Sequence, residues 1–141
     1  GIDNFDPGYI DRKNEVIVGS EEEIFSKELS ENKSMLKSIK QFSEDKYPIY
    51  AECGGLMYLS KSIDNNEMVN VFPYKSMLTK KVQGLSYTIA EVTQKNPILE
   101  VGTSYHGHEF HYSKVEYTGN NKNDFAFKMK RGVGITGEYD G

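Results

Sequence analysis

The sequence predicts an α/β fold: a parallel sheet flanked by helices in the first half, with additional strands in the C-terminal half. Three observations carry this prediction. Short apolar runs at 15–19, "EVIVG", and 49–51, "IYA", alternate with stretches of helical periodicity, as strand–helix–strand units do. Beyond "DNNE" at 64–67 the helical spacing gives way to β-branched and aromatic runs separated by turn signals. The third observation is size: 141 residues without repeats or low-complexity segments can bury a core with no disulfide or structural metal, so residues 1–141 are expected to form one domain.

Taken in order, residues 15–19 read as a buried strand closed by Gly19. Ser20 with Glu23 fits a capping box, and Glu21, Glu22 and Glu23 would sit at the positive end of a helix dipole as a solvated first turn. From Ser30 to Asp45, Met35, Leu36, Ile39 and Phe42 recur at three- and four-residue intervals, which predicts an amphipathic helix packing its stripe on the core. Pro48 stops that pattern, "IYA" supplies the next strand, and Leu56, Leu59 and Ile63 resume helical spacing behind Gly54 and Gly55. The later strands are expected at 85–93, 109–118 and 124–130, the last with Phe125, Phe127 and Met129 alternating. Turns fall at "KNP" (95–97) and "GNNKND" (119–124).

Composition narrows the partners. A net charge of −4 with 17 scattered Lys and Arg argues against nucleic acid, which needs a concentrated basic face. No apolar run approaches a bilayer span and no signal peptide is recognised, so no membrane association and a cytoplasmic location are expected. The single cysteine cannot form an intrachain disulfide, which agrees with a reducing compartment.

That cysteine, Cys53, sits in "PIYAECGGLMYLS" (48–60), between an apolar strand and a helical pattern. A nucleophile on a sharp strand-to-helix turn stands clear of the backbone, has its thiol pKa lowered by the helix start, and lies beside amides that can receive an oxyanion. Such a turn needs small residues, and Gly54 and Gly55 supply them. Spacing alone leaves a second reading open, an inert small core residue.

The stretches "AECGGLMYLSKSI" (51–63) and "GHEFHYS" (107–113), together with 24–42, 86–92 and 132–141, resemble the glutaminase domain of the cobyrinic acid a,c-diamide synthases, the cobalamin-pathway branch of the triad glutamine amidotransferases. The resemblance implies a flavodoxin-like, class I glutamine amidotransferase-like sheet and a two-part enzyme. An ATP- and Mg-dependent synthetase domain would activate corrinoid carboxylates, while the glutaminase hydrolyses glutamine and passes ammonia across. It further implies that Cys53 is the nucleophile, that backbone around Gly19 and Gly54 forms the oxyanion and glutamine site, and that Glu109 with His111 shapes the pocket. The sequence holds no GxxxxGK[ST] phosphate loop, so no cofactor is expected in this chain and the amidation is assigned to the other domain.

Three departures from the family pattern stand out. The activating histidine belongs to a motif a short way past the point matching "GITGEYDG", whereas His106, His108 and His111 all fall in "HGHEFHYS". On a strand, 108 and 111 face opposite sides, so at most one could approach Cys53, and the segment is read as site-shaping, with no metal site. At 18–25, "VGSEEEIF" stands where the family shows a glycine-rich run; Gly19 remains, followed by Ser20. Finally, "NFDPGYIDRKNEVIVGS" resembles the approach to a second or third strand, so the domain is expected to be truncated at both ends. Alternative readings are a non-catalytic remnant or partner-docking module, the related nickel-sirohydrochlorin a,c-diamide synthase, and a thiol hydrolase of another family.

Overall fold

The computed structural model describes residues 25–141 together with the strands at 9–11 and 15–18. Gly19 and the capping box expected at Ser20 and Glu23 lie outside the described residues, as do Glu21 and Glu22. The chain divides into two compact units, residues 1–76 and 77–141.

In the first unit, β1 (Tyr9–Asp11) pairs antiparallel with β2 (Glu15–Val18), and β2 pairs parallel with β3 (Ile49–Ala51) in the register Val16 with Ile49 and Val18 with Ala51. A parallel pair requires a long crossover. Here it carries two helices, α1 (Ser26–Glu31) and α2 (Lys33–Glu44), where the periodicity predicts one over 30–45. Asn32 makes the break. Its N–H donates to Leu29 O at 3.2 Å, closing α1, while its Oδ1 accepts from Met35 N at 3.2 Å, capping α2. A short amide side chain competes for backbone groups better at a cap than within a helix.

The expected stripe is the core. Leu36 and Ile39 are buried with Leu29, Met57, Leu59 and Ile63, and Met35 and Phe42 pack against them. Burying a side chain of this size stabilises by about 1.5–3 kcal/mol. Behind β3, α3 (Gly54–Tyr58) is one short turn of helix, so the helical spacing read through Ile63 is corrected: Ile63 belongs to β4 (Ser62–Ile63). Ser60 terminates the helix locally, its Oγ donating to Met57 O at 2.5 Å. The chain then turns through Asp64, at φ 51°, into β5 (Asn66–Glu67), and β4 also pairs parallel with β6 (Tyr74–Leu78) at Ile63 and Ser76.

The second unit contains a four-stranded antiparallel sheet. β7 (Gly84–Val92) pairs with β8 (Ser104–His111) in one continuous register from Gly84 opposite His111 to Glu91 opposite Ser104. On its other side β7 pairs with β10 (Phe127–Arg131), which pairs with β11 (Tyr139–Asp140). The strand predicted over 109–118 is corrected to the end of β8 and a separate β9 (Ser113–Tyr117), with Tyr112 between them. Phe125 precedes β10 rather than lying in it; it is buried, with its ring 4.9 Å from Tyr117 and 6.2 Å from Tyr139. Both predicted turns are present. Asn96 Oδ1 accepts from Ile98 N and Leu99 N, and Asn121 Oδ1 accepts from Asn123 N.

The fold is therefore mixed α/β, as predicted, with strand, helix, strand and helix in order through residue 58 and thereafter strands with one 3-10 turn at Lys122–Asp124. The flavodoxin-like parallel sheet is seen in part, as the β2–β3 pair. No helix among the described residues is long and apolar enough to cross a membrane.

Candidate active site

β3 ends at Ala51 and α3 begins at Gly54, so Glu52 and Cys53 make the whole passage from strand to helix. Such a short passage forces a sharp turn. Gly55 N donates to Glu52 O at 2.9 Å, closing a four-residue turn with Cys53 as its first central residue. Cys53 has φ 53° and ψ −117°, close to the type II′ turn values at that position, where a glycine is ordinarily required. An L side chain there is strained, by about 1–3 kcal/mol. The strain accompanies exposure. Cys53 reaches solvent while Gly54 and Gly55 behind it are buried. Cys53 O then accepts from Met57 N at 3.2 Å and opens α3, so the cysteine is the N-cap and Gly54 supplies the first helical amide.

Beside the turn, the Tyr50 hydroxyl donates to Glu52 Oε1. That bond, with burial and the Glu52 charge adding to it, pushes the Tyr50 phenol up to about 12. The pairing holds a carboxylate at the entrance to the turn, a feature sequence reading missed. Residues 50 and 52 lie two apart at the end of a strand, which is the available signal.

Glu109 and His111 lie in the second unit, two apart on β8 and on one face of its sheet. They meet, with His111 Nε2 3.6 Å from Glu109 Oε2. His111 Nδ1 lies 3.0 Å from Ser113 O, so both ring nitrogens face oxygen. Glu109 Oε1 accepts from Ser86 Oγ at 2.9 Å and from Val133 N at 3.2 Å, so both carboxylate oxygens are engaged and the side chain is only 13% exposed. Asp140 sits near this pair. Burial pushes its carboxyl above the ordinary carboxylate range and Glu109 adds to that, while the Gly141 N–H and His111 oppose it. Ser86, Val133 and Asp140 escaped sequence reading because the β7–β8 register, which sets Ser86 opposite Glu109, depends on where the intervening loop closes.

Gly84 lies opposite His111, and a Cβ there would strike the imidazole, so a side chain at 84 would displace the ring. His108 is on the opposite face, paired with Tyr87, as the strand alternation predicts. Of the predicted site residues, Cys53 and Gly54 thus adjoin in the first unit, Glu109 and His111 adjoin in the second, and Gly19 lies outside the described residues. Among the described residues no three His, Cys, Asp or Glu side chains are gathered as a metal site would need.

Residues 11–141 match the CobB/CobQ-like glutamine amidotransferase domain. Similar curated proteins include the cobyrinate a,c-diamide synthases of Methanosphaera stadtmanae, 73% identical over 125 residues, and Methanobrevibacter smithii, 54% identical over 126, each alignment covering 89% of this chain. That of Methanothermobacter thermautotrophicus is 52% identical over 125 residues, again 89% of the chain. The chain spans 28% of the length of each of these relatives.

Proposed function

Since the chain belongs to the family of CobB/CobQ-like glutamine amidotransferase domains, we propose that it hydrolyses glutamine through Cys53 and supplies ammonia for the amidation of corrinoid carboxylates, as the glutaminase portion of a cobyrinate a,c-diamide synthase. The single observation that carries this reading is the exposed Cys53 at positive φ on a one-turn passage from a parallel strand to a helix. Inert core cysteines do not need a strained backbone.

In this mechanism the Cys53 thiolate attacks the side-chain amide carbon of glutamine, forming a C–S bond and a tetrahedral oxyanion. The backbone N–H of Gly54, together with that of Gly19, is assigned to the oxyanion, because charge that develops in the transition state is stabilised best by donors already in place. The C–N bond then breaks, the departing nitrogen takes a proton and leaves as ammonia, and water hydrolyses the thioester to glutamate and regenerates the thiol. The acceptor of the thiol proton is assigned to a histidine beyond the 141 residues. His111 is assigned a shaping role with Glu109, since its two nitrogens already face Ser113 O and Glu109. ATP and Mg²⁺ belong in this reading to the remaining part of the longer protein, which activates the carboxylate, and no residue of this chain is given a part in holding them.

The test is alkylation by the glutamine analogue 6-diazo-5-oxo-norleucine, read by mass. It should be run on this chain and on a chimera in which the chain replaces the matched span of the Methanosphaera relative. One adduct on Cys53 in the chimera, suppressed by glutamine, is expected, and Cys53→Ala should lower glutamine hydrolysis by at least about 10³-fold. A folded chimera that hydrolyses no glutamine and takes no label at Cys53 would leave the remnant reading in its place.

A further inference from the structure

The Glu52 side chain holds a position that the elbow itself does not need. The turn is closed by the Glu52 carbonyl, which accepts from Gly55 N, and any residue at 52 would supply that bond. The side chain stands in solvent, where a glutamate ordinarily keeps its rotamer freedom. Here it is held, because Tyr50, two residues back in β3, donates its hydroxyl to Oε1. With its phenol pushed up to about 12, Tyr50 stays protonated and donating across the neutral range. The donor is neutral, so it fixes the carboxylate without cancelling its charge. No Lys, Arg or His pairs with Glu52 among the described residues, and Oε2 makes no hydrogen bond among them.

A held, uncompensated carboxylate beside a thiol disfavours the thiolate, so activation of Cys53 gives no reason for it. The substrate does. If Cys53 acts on glutamine, the reading on which this inference rests, the amino acid arrives with a single cationic group, its α-ammonium. Adjacent Cα atoms stand about 3.8 Å apart and the four bonds from the attacked carbon to the α-nitrogen span about 5 Å, so a glutamine seated at the Cys53 sulfur brings its ammonium within reach of the Glu52 side chain. An ionised acceptor bonds such a group more strongly than a neutral one does. We infer that Glu52, positioned by Tyr50, receives the α-ammonium of glutamine and so selects the free amino acid over glutamine whose amino nitrogen is acylated, as it is within a peptide.

The test uses the Methanosphaera chimera and three reagents that alkylate thiols, each adduct on Cys53 followed by mass: 6-diazo-5-oxo-L-norleucine, its N-acetyl derivative, and iodoacetamide, which carries no amino acid. A hydrogen bond between charged groups contributes about 10- to 100-fold, so the parent should take the free analogue faster than the acetylated one by that factor. Glu52→Gln, close in shape, should abolish the preference by slowing the free analogue alone, and Tyr50→Phe should lower it in part. Iodoacetamide should react with Glu52→Gln at least as fast as with the parent, because removing the neighbouring carboxylate favours the thiolate. In glutamine hydrolysis the loss should appear in KM rather than in kcat. A parent that takes both analogues equally, or a Glu52→Gln variant that keeps the preference, would overturn the inference and leave Cys53 as the nucleophile. Slowing of all three reagents by Glu52→Gln would assign the side chain to the turn and would also overturn it. A parent alkylated by iodoacetamide and by neither analogue would overturn it together with the glutaminase reading.

Discussion

Replacing Cys53 by glycine should leave the chain more stable than replacing it by alanine, although both substitutions remove the sulfur. The magnitude follows from the turn. At φ 53° and ψ −117° a residue with a Cβ is strained by about 1–3 kcal/mol, and alanine keeps that Cβ while glycine does not. Against this, glycine loses more backbone freedom on folding than alanine does, about 0.4–1 kcal/mol. The difference is a net advantage for Cys53→Gly of up to about 2.6 kcal/mol, centred on about 1.3 kcal/mol. Urea denaturation followed by far-ultraviolet circular dichroism would resolve it as a shift in midpoint at unchanged slope. Because neither variant can be alkylated at residue 53, the comparison isolates the backbone from the chemistry. If Cys53→Gly proved equal to Cys53→Ala, or less stable, the cysteine would not be held in the left-handed region. The argument from a strained nucleophile would then fail.

Three further outcomes are expected. Gly84→Ala should destabilise by about 1–3 kcal/mol, since the new methyl group displaces the His111 ring from Glu109, and the His111 imidazole resonances in NMR spectra should shift accordingly. Asp140 has a raised folded pKa, so its contribution is fully present below the ordinary value of 3.8 and is lost as pH rises through the folded value. Asp140→Asn should therefore gain stability relative to the parent chain in urea melts at neutral pH, and the gain should vanish below that value. Tyr50 should ionise near 12 in a difference titration against Tyr50→Phe, and Glu52→Gln should bring the transition back toward 10.

The legible parts of this molecule were those written in local chemistry. β2 and β3 are short apolar runs, and the Met35, Leu36, Ile39, Phe42 stripe faces the core because helical spacing leaves it no other role. The elbow at Cys53 was legible because two glycines directly follow the cysteine. What escaped depended on partners distant in sequence or on a single competing side chain. Asn32 divides a helix whose periodicity runs straight through it, and Ser60 stops α3 where the apolar spacing continues to Ile63. The surroundings of Glu109 needed the pairing of β7 with β8 and the return of residues 132–141, neither of which has a local signature. Loop closure sets such a register, and a shift of one residue would have turned Glu109 and His111 to the other face.

The left-handed backbone at Cys53 also bears on how this position would drift in a lineage that no longer used the thiol. Most sites accumulate mildly harmful replacements once selection relaxes, because most changes weaken the fold. Here the ancestral residue is itself the unfavourable one, and glycine, a single base change away in the codon table, relieves it. Disuse would be recorded as a glycine at this turn.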